Sequence, residues 1–380
     1  MNEQKICIIG DGLAGLTAAV ILSTENVKID LYSGKNKNVS PDNRTTAISE
    51  SNYQYIKNNI SFNSHAFFWP CKKINLFFED KEKIVNFLNF KEKNKNLMYV
   101  FQNKDLKKKL DKIISSTSQI KLVKKNIENI NHEEGFIKFN RKKKFYDLII
   151  LCIGGRSKLY SAIEKSRSIE KNYKEIALTA IIKHNEKIEN VSQFFLKEGP
   201  LAVLPFKKKL FSTVWSVSSN FFYINKNNIK KILIEKLRLL LKNQSIKSNI
   251  DIHSFPINLS LKTKYFKKNV LILGEGLHTV HPMAGQGFNL VLRDLKKLKE
   301  LISTKIKLGL LIKDSLILKD FYNSRKPENN LFGLGINLTN IFFKENKYFS
   351  PIKKGILSNI KNFSFIKKIS QTISDRGVLF

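Results

Sequence analysis

The chain has 380 residues, of which 67 are Lys or Arg and 32 are Asp or Glu, giving a net charge of +35. With 42% hydrophobic residues it is long and apolar enough to bury the core of one or two domains, which excludes a disordered basic tail. Only eight of the basic residues are Arg, and the 59 Lys are spread along the whole chain, so a compositional bias explains the charge better than nucleic-acid recognition, which favours Arg forks, and no nucleic-acid partner is expected.

In chain order, Lys5–Ile9 reads as a short buried strand, followed by a glycine-rich turn and a helical run from Leu16 to Ser23. Val27, Ile29 and Leu31 alternate with Lys28 and Asp30 at the period of a strand. Leu106, Leu110 and Ile113 mark a helix with a lysine-rich outer face. Tyr146–Ile153 reads as a buried strand ending at Gly154-Gly155. Four short strands follow, over 176–184, 192–196, 201–206 and 211–217, a meander that predicts an antiparallel sheet. Ile229, Leu233, Leu237 and Leu240 predict a helix. Val270–Leu273 is another buried strand, and a long helix opens near Gly287. From Leu316 the chain reads as helical. Ile352, Ile356, Ile360, Phe363 and Ile366 recur there at helical spacing among lysines, a pattern that suits either an anionic membrane surface or packing on the main domain.

Cys7, Cys71 and Cys152 form no C-x-x-C pair, so neither a zinc ribbon nor a disulfide framework is expected, and a reducing compartment is. No stretch approaches 18 uncharged apolar residues, so no transmembrane helix is expected.

Two segments carry chemistry. Gly10-x-Gly12-x-x-Gly15 follows a strand and opens a helix, the context of a dinucleotide fingerprint. Gly10 permits the tight turn, Gly12 lets the backbone approach a pyrophosphate, and Gly15 lets the helix pack close to the strand. The acid expected at the end of the second strand falls on Ser33, which can bond one ribose hydroxyl but offers no carboxylate. The second segment runs from Gly274 to Leu290. It contains Glu275 between glycines, His278, a loop with His281 and Pro282, and Gly285-Gln286-Gly287 entering a helix. Amides at the start of that helix can hold a ring carbonyl or a developing anion. The three-residue spacing of Glu275, His278 and His281 also raises a metal site. Gly276, Pro282 and the preceding strand interrupt any continuous helix there, so the three side chains need not converge and no metal is expected.

The second segment resembles the GD motif and flavin loop of the aromatic-ring hydroxylases of the UbiH/UbiF/VisC branch, G-D-A-A-H-T-x-H-P-x-A-G-Q-G-x-N-L. It matches at His278, Thr279, His281, Pro282, Ala284, Gly285, Gln286, Gly287, Asn289 and Leu290. Further resemblance runs along nearly the whole chain: Asp42-x-Arg44-x-x-Ala47; Tyr99 to Asn103 with Leu106 and Leu110; Asp147 through Gly154 and Ser157; Gly199 to Pro205; Val214-Trp215-Ser216; Arg293-Asp294; and Tyr322, Arg325 and Pro327.

What the resemblance implies is an α/β fold: a Rossmann-like FAD domain of the p-hydroxybenzoate hydroxylase type, an inserted antiparallel substrate sheet, and a helical C-terminal tail. The expected divisions are 1–70, 97–158 and 265–305 for the FAD domain, 71–96 and 159–264 for the substrate domain, and 306–380 for the tail. The implied activity is an FAD monooxygenase of ubiquinone biosynthesis that hydroxylates a polyprenylated phenol or quinol through a flavin C4a-hydroperoxide. NAD(P)H or another electron donor and O2 are its co-reactants. Other ubiquinone-synthesis proteins and a membrane surface are possible partners, and the implied location is cytoplasmic, with a peripheral position on the inner membrane face.

At the reaction centre the resemblance places Pro282, His281, Gly285, Gln286 and Gly287, with no side-chain acid or base assigned. Cofactor contacts are implied at Gly10, Gly12, Leu13, Ala14, Gly15, Ser33, Arg44, Gln102, Asn103, Gly154, Glu275, Gly285, Gln286, Gly287 and Asn289. Arg44 is read either as an FAD contact or as a surface salt bridge, and His281 either as a local electrostatic group or as a structural hydrogen bond in its loop. The sequence departs from the family pattern at Ser33, at Ile153 where an Asp is expected, and at Glu275-Gly276 in place of Asp and a small residue. These departures imply weaker or altered FAD binding. The replacements at Ser33 and Ile153 motivate one alternative, a non-catalytic subunit of a quinone-synthesis assembly; a separate alternative is a flavin reductase or dehydrogenase on the same fold, without oxygen insertion. Gly12→Asp, which sets charge and bulk against a pyrophosphate, is expected to abolish flavin retention, read from the visible absorbance of the purified protein; stoichiometric flavin in that variant would contradict the fingerprint.

Overall fold

The structure is a computed structural model that describes residues 3–34, 42–60, 67–81, 83–154, 157–163, 168–247, 250–282, 285–313, 315–343, 355 and 375. The stripe from Ile352 to Ile366 lies outside the described residues. In chain order the elements are β1 (Gln4–Ile9), α1 (Leu13–Leu22), β2 (Val27–Ser33), β3 (Thr45–Ser49), α2 (Glu50–Asn59), β4 (Trp69–Cys71), β5 (Lys73–Asp80), β6 (Lys83–Lys91), β7 (Met98–Gln102) and α3 (Asn103–Ser116). Then come β8 (Ile120–Lys124), β9 (Asn129–Asn131), β10 (Phe136–Phe139), β11 (Lys142–Phe145), β12 (Leu148–Leu151), β13 (Ser168–Lys183), β14 (Val191–Leu196), β15 (Gly199–Lys207), β16 (Leu210–Ser218), α4 (Ser219–Ile224) and α5 (Ile229–Leu241). The last are β17 (His253–Lys262), β18 (Phe266–Lys267), β19 (Val270–Ile272), β20 (His278–Thr279), α6 (Gly287–Lys307) and α7 (Ser315–Phe343).

Two large sheets organise the molecule. The first has the order β18-β19-β12-β1-β2-β8 and is parallel except for the β18–β19 edge. Its central strands are buried on both faces, which is why Ile6–Ile9 and Leu148–Leu151 are continuous apolar runs. Helix α1 is buried from Gly15 to Leu22, so its sequence lacks the usual polar face. The second sheet has the order β20-β17-β13-β16-β15-β14-β5-β6. The expected meander is its centre, and α5 packs on it through Leu233 and Leu237. One pair in this otherwise antiparallel sheet, β5–β14, is parallel, because the β5–β6 hairpin arrives from a separate part of the chain. Strand β13 starts at Ser168, earlier than the apolar pattern suggests, and carries a bulge between Asn172 and Glu175. No helix among the described residues is long and apolar enough to cross a membrane.

A buried polar network joins α6, α7 and the segment before the glycine loop. Asp294 Oδ2 pairs with His278 Nε2 at 2.6 Å, and Asp294 Oδ1 accepts from Arg325 Nε at 2.7 Å and Asn329 Nδ2 at 3.1 Å. Arg325 also pairs with Glu328. Arg293, whose guanidinium lies 4.5 Å from the Phe332 ring centre, has its pKa lowered to about 10 by burial. Burial by itself would raise the Asp294 carboxyl, but Arg325 and His278 outweigh burial and hold it below its usual range. A depressed carboxyl contributes stability that is present above its unfolded pKa and lost as pH falls through the folded value. Asp294→Asn should therefore cost about 3 kcal/mol in denaturant unfolding at neutral pH, as expected for breaking a buried charge network. The difference from the parent should shrink below about pH 4.

Candidate active site

A cavity of about 1660 Å³ is lined from both large sheets. At its floor is the first glycine turn. Gly10 has φ +115°, and a Cβ there would sit 2.3 Å from the Cys152 carbonyl oxygen. A Cβ on Gly15 would sit 1.9 Å from the Gly10 carbonyl oxygen, so helix and turn touch with no room for a side chain. A Cβ on Gly12 would meet nothing within 4 Å, so its backbone is open to the cavity. Gly12 is the N-cap of α1 and gives no side-chain cap. The start of α6, at Gly287, also lacks a side-chain cap and lines the same cavity. Two helix N-termini thus present amides and positive dipole ends to one space.

Strand β3 and the loop before it form another wall. Arg44 donates through Nε and Nη2 to the two Asp42 oxygens, each at 2.8 Å. Asn103 Nδ2 donates to Asp42 Oδ2 at 2.8 Å, and Thr46 Oγ1 donates to Asn103 Oδ1 at 2.6 Å. Partial burial opposes ionisation of Asp42, but the Arg44 and Asn103 bonds hold its carboxyl below the usual value. The same Asp42 bonds, against burial, raise Arg44. Arg44 is paired with Asp42 and also lines the cavity.

The glycine loop before α6 is fixed by side chains from distant segments. Gly285 has φ +62°, and a Cβ there would lie 3.2 Å from Ala47 Cβ. Asn289 donates to the Ala47 and Gly285 carbonyls at 3.0 and 3.1 Å and accepts from Ser49 N at 2.9 Å and Asn52 Nδ2 at 2.7 Å. Its amide staples the loop to β3 and α2. His281 is fully buried, with Nε2 2.8 Å from Glu175 Oε2. The bulge in β13 aims Glu175 at this histidine. His278 instead faces Asp294. The two histidines therefore serve different partners, and among the described residues no three His, Cys, Asp or Glu side chains converge to hold a metal. The Tyr160 hydroxyl bonds the Gly154 carbonyl and would lie 1.8 Å from a Cβ on residue 276, which accounts for Gly276.

Most of the residues singled out in the sequence line this one cavity: Gly10, Gly12, Leu13, Ala14, Arg44, Asn103, Gly154, Glu275, His281, Pro282, Gly285, Gln286, Gly287 and Asn289. Gly15, Ser33 and Gln102 do not. Gly15 is occupied by helix packing, Gln102 is buried before α3, and the Ser33 hydroxyl is turned onto Asp11. Asp30 points elsewhere, to Lys144 and Tyr146. Burial raises the Cys152 thiol to about 12, consistent with a packing role. Glu175 and Asp11 escaped the sequence reading. Glu175 sits in the polar first half of β13, ahead of its apolar run, and directly follows the bulge that precedes its contact with His281. Asp11 had a local signal, since it is the acid between the first two glycines.

A family model described as squalene epoxidase matches residues 222–368. The chain is 24% identical to the mitochondrial ubiquinone biosynthesis monooxygenase COQ6 of Dictyostelium discoideum, over 97% of this chain and 90% of that one. The chain is a relative of the ubiquinone-biosynthesis monooxygenases. A second relative, the Escherichia coli 3-demethoxyubiquinol 3-hydroxylase, is 24% identical over 43% of this chain and 42% of its own length. Among solved structures, Klebsiella pneumoniae HpxO complexed with FAD and uric acid superposes with a TM-score of 0.78 at 12% identity, covering 98% of this chain and 97% of that one. The chain shares the fold of this FAD-bound structure, and the relatives it matches are named as a monooxygenase and a hydroxylase.

Replacing Asn289 by the similarly sized Leu leaves Ser49 N and the Ala47 carbonyl without this partner in a buried place. Unfolding free energy should fall by about 2–4 kcal/mol, measured by chemical denaturation.

Proposed function

We propose that this chain is an FAD-dependent monooxygenase that hydroxylates the aromatic ring of a polyprenylated phenol or quinol in ubiquinone synthesis. The observation that carries the reading is the single cavity into which both glycine turns open, with an uncapped helix N-terminus at each. The cradle fits FAD: Gly12 leaves the approach to α1 open, while Gly10, Gly15 and Gly285 occupy places that a side chain would block. Gly10, Gly12, Leu13 and Ala14 would hold the pyrophosphate. Arg44, Asn103, Gly154 and Glu275 would take the middle of the cofactor, and Pro282 with Gly285, Gln286 and Gly287 the isoalloxazine.

The chemistry that FAD supplies when bound is activation of O2 for transfer of one oxygen atom to an electron-rich ring, with NAD(P)H or another donor as the electron source. The protein orients the ring and excludes water. The Gly285–Gly287 backbone would stabilise negative charge on a ring system held against it. The Glu175–His281 pair holds the loop that supplies that backbone, and Asn289 fixes its far end. On the side of the second sheet the cavity is lined by Leu76, Phe87, Leu88, Phe195 and Phe343, with Phe195 and Phe343 stacked at 3.5 Å between ring centres. That apolar lining suits a prenyl tail. Leu334, Leu338 and Ile341 are exposed along α7, and Leu338 and Phe342 of the same helix line the cavity, which suits a peripheral position on a membrane face where such a substrate dissolves.

The test is incubation of the purified protein with FAD, followed by NAD(P)H oxidation with a short-chain prenylated phenol under labelled O2. A flavin spectrum, substrate-stimulated oxidation and label in the product are expected. Flavin with unlabelled product would leave a reductase. The absence of any flavin uptake would leave the non-catalytic subunit, the reading that Ile153 and Ser33 favour.

A further inference from the structure

The missing acid at the end of β2 has a replacement in space. Ser33 Oγ donates to Asp11 Oδ2 at 2.8 Å, and Asp11 lines the cavity together with Gly10, Gly12, Gly34 and Asn126. Asp11 is half-buried in the turn between β1 and α1, and Ser33 is buried at the strand end. The hydroxyl thus holds the Asp11 carboxylate against the end of β2, where a strand-end acid would put its own. A carboxylate has about four acceptor sites, and Ser33 fills one. Lys107 bonds the Asp11 carbonyl at 2.9 Å and lies 3.9 Å from Asp111, so it sits on the turn and pairs with Asp111.

We infer that Asp11 accepts the hydrogen bonds of the adenosine ribose hydroxyls of FAD, with Ser33 as the positioning residue that aims it. The inference rests on the cofactor assignment above and sharpens it: the departure at Ser33 moves the ribose acid from the strand end to the glycine turn, and ribose recognition is retained. A carboxylate this close to the phosphate-binding turn would otherwise repel the pyrophosphate. Its tie to Ser33 directs it to the sugar.

The test is equilibrium binding, by flavin fluorescence, of FAD, of FMN and of an FAD analogue whose adenosine ribose lacks both hydroxyls. The parent protein should prefer FAD to the analogue by about tenfold or more, the size of a lost charge-assisted hydrogen bond. Asp11→Asn should weaken FAD by a similar factor, bring the FAD-to-analogue ratio towards one and leave FMN binding unchanged. Ser33→Ala should reduce the ratio in part. Asp11→Gly combined with Ser33→Glu, which returns the acid to the strand, should restore it. Asp11→Asn binding FAD as tightly as the parent or more tightly, or keeping the parent's ratio, overturns the inference and leaves the cofactor assignment standing. A parent protein that takes up no FAD overturns both. If Asp11→Asn melts at a lower temperature than the parent, the ratio in Ser33→Ala decides: an unchanged ratio refutes the positioning and a reduced one supports it.

Discussion

The architecture of the site depends on one buried carboxylate. Asp294 is fully buried, yet it stays ionised because Arg325 and His278 surround it. Its three partners come from α7 and from the segment that leads into the glycine loop, so one charge sets the relative position of α6, α7 and that loop. Burying such a group is unfavourable unless it is fully paired, and full pairing requires all three segments at once. The network therefore specifies geometry more than it adds stability. The start of α6 is held where it faces the cavity opposite the start of α1.

Around that frame the cradle is built by subtraction. Gly10, Gly15 and Gly285 each leave out a side chain that would strike backbone or a neighbouring wall. Gly276 does the same against Tyr160. The departures from the family pattern become coherent in this setting. Gly276 answers to the packed tyrosine, and Ser33 answers to Asp11. Ile153 is different: it lines the cavity without offering a hydrogen bond, and no neighbouring side chain takes over that role among the contacts described.

Much of the fold is legible along the chain because the first sheet obeys simple local rules. Strands buried on both faces must be continuously apolar, and β1, β12 and β19 are. The hairpin β5–β6 is less visible because β5 is half-buried along its entire length, so no alternation marks a face. The early part of β13 is hidden by its polar residues and by the bulge that follows them. Likewise the glycine turns are legible as motifs, whereas the amide of Asn289, which matches the family pattern, is taken up by the protein itself.

The sequence by itself determined the parallel dinucleotide-type sheet, the antiparallel meander, the two glycine turns and the kinship these carry, because each depends on spacing within a few residues. Tertiary structure decided which charges meet. Asp11 reaches Ser33 across 22 positions, Glu175 reaches His281 across 106, and Arg325 reaches Asp294 across 31. None of these pairs shares a local period. They meet through strand order, a bulge and helix packing, which the whole chain fixes together.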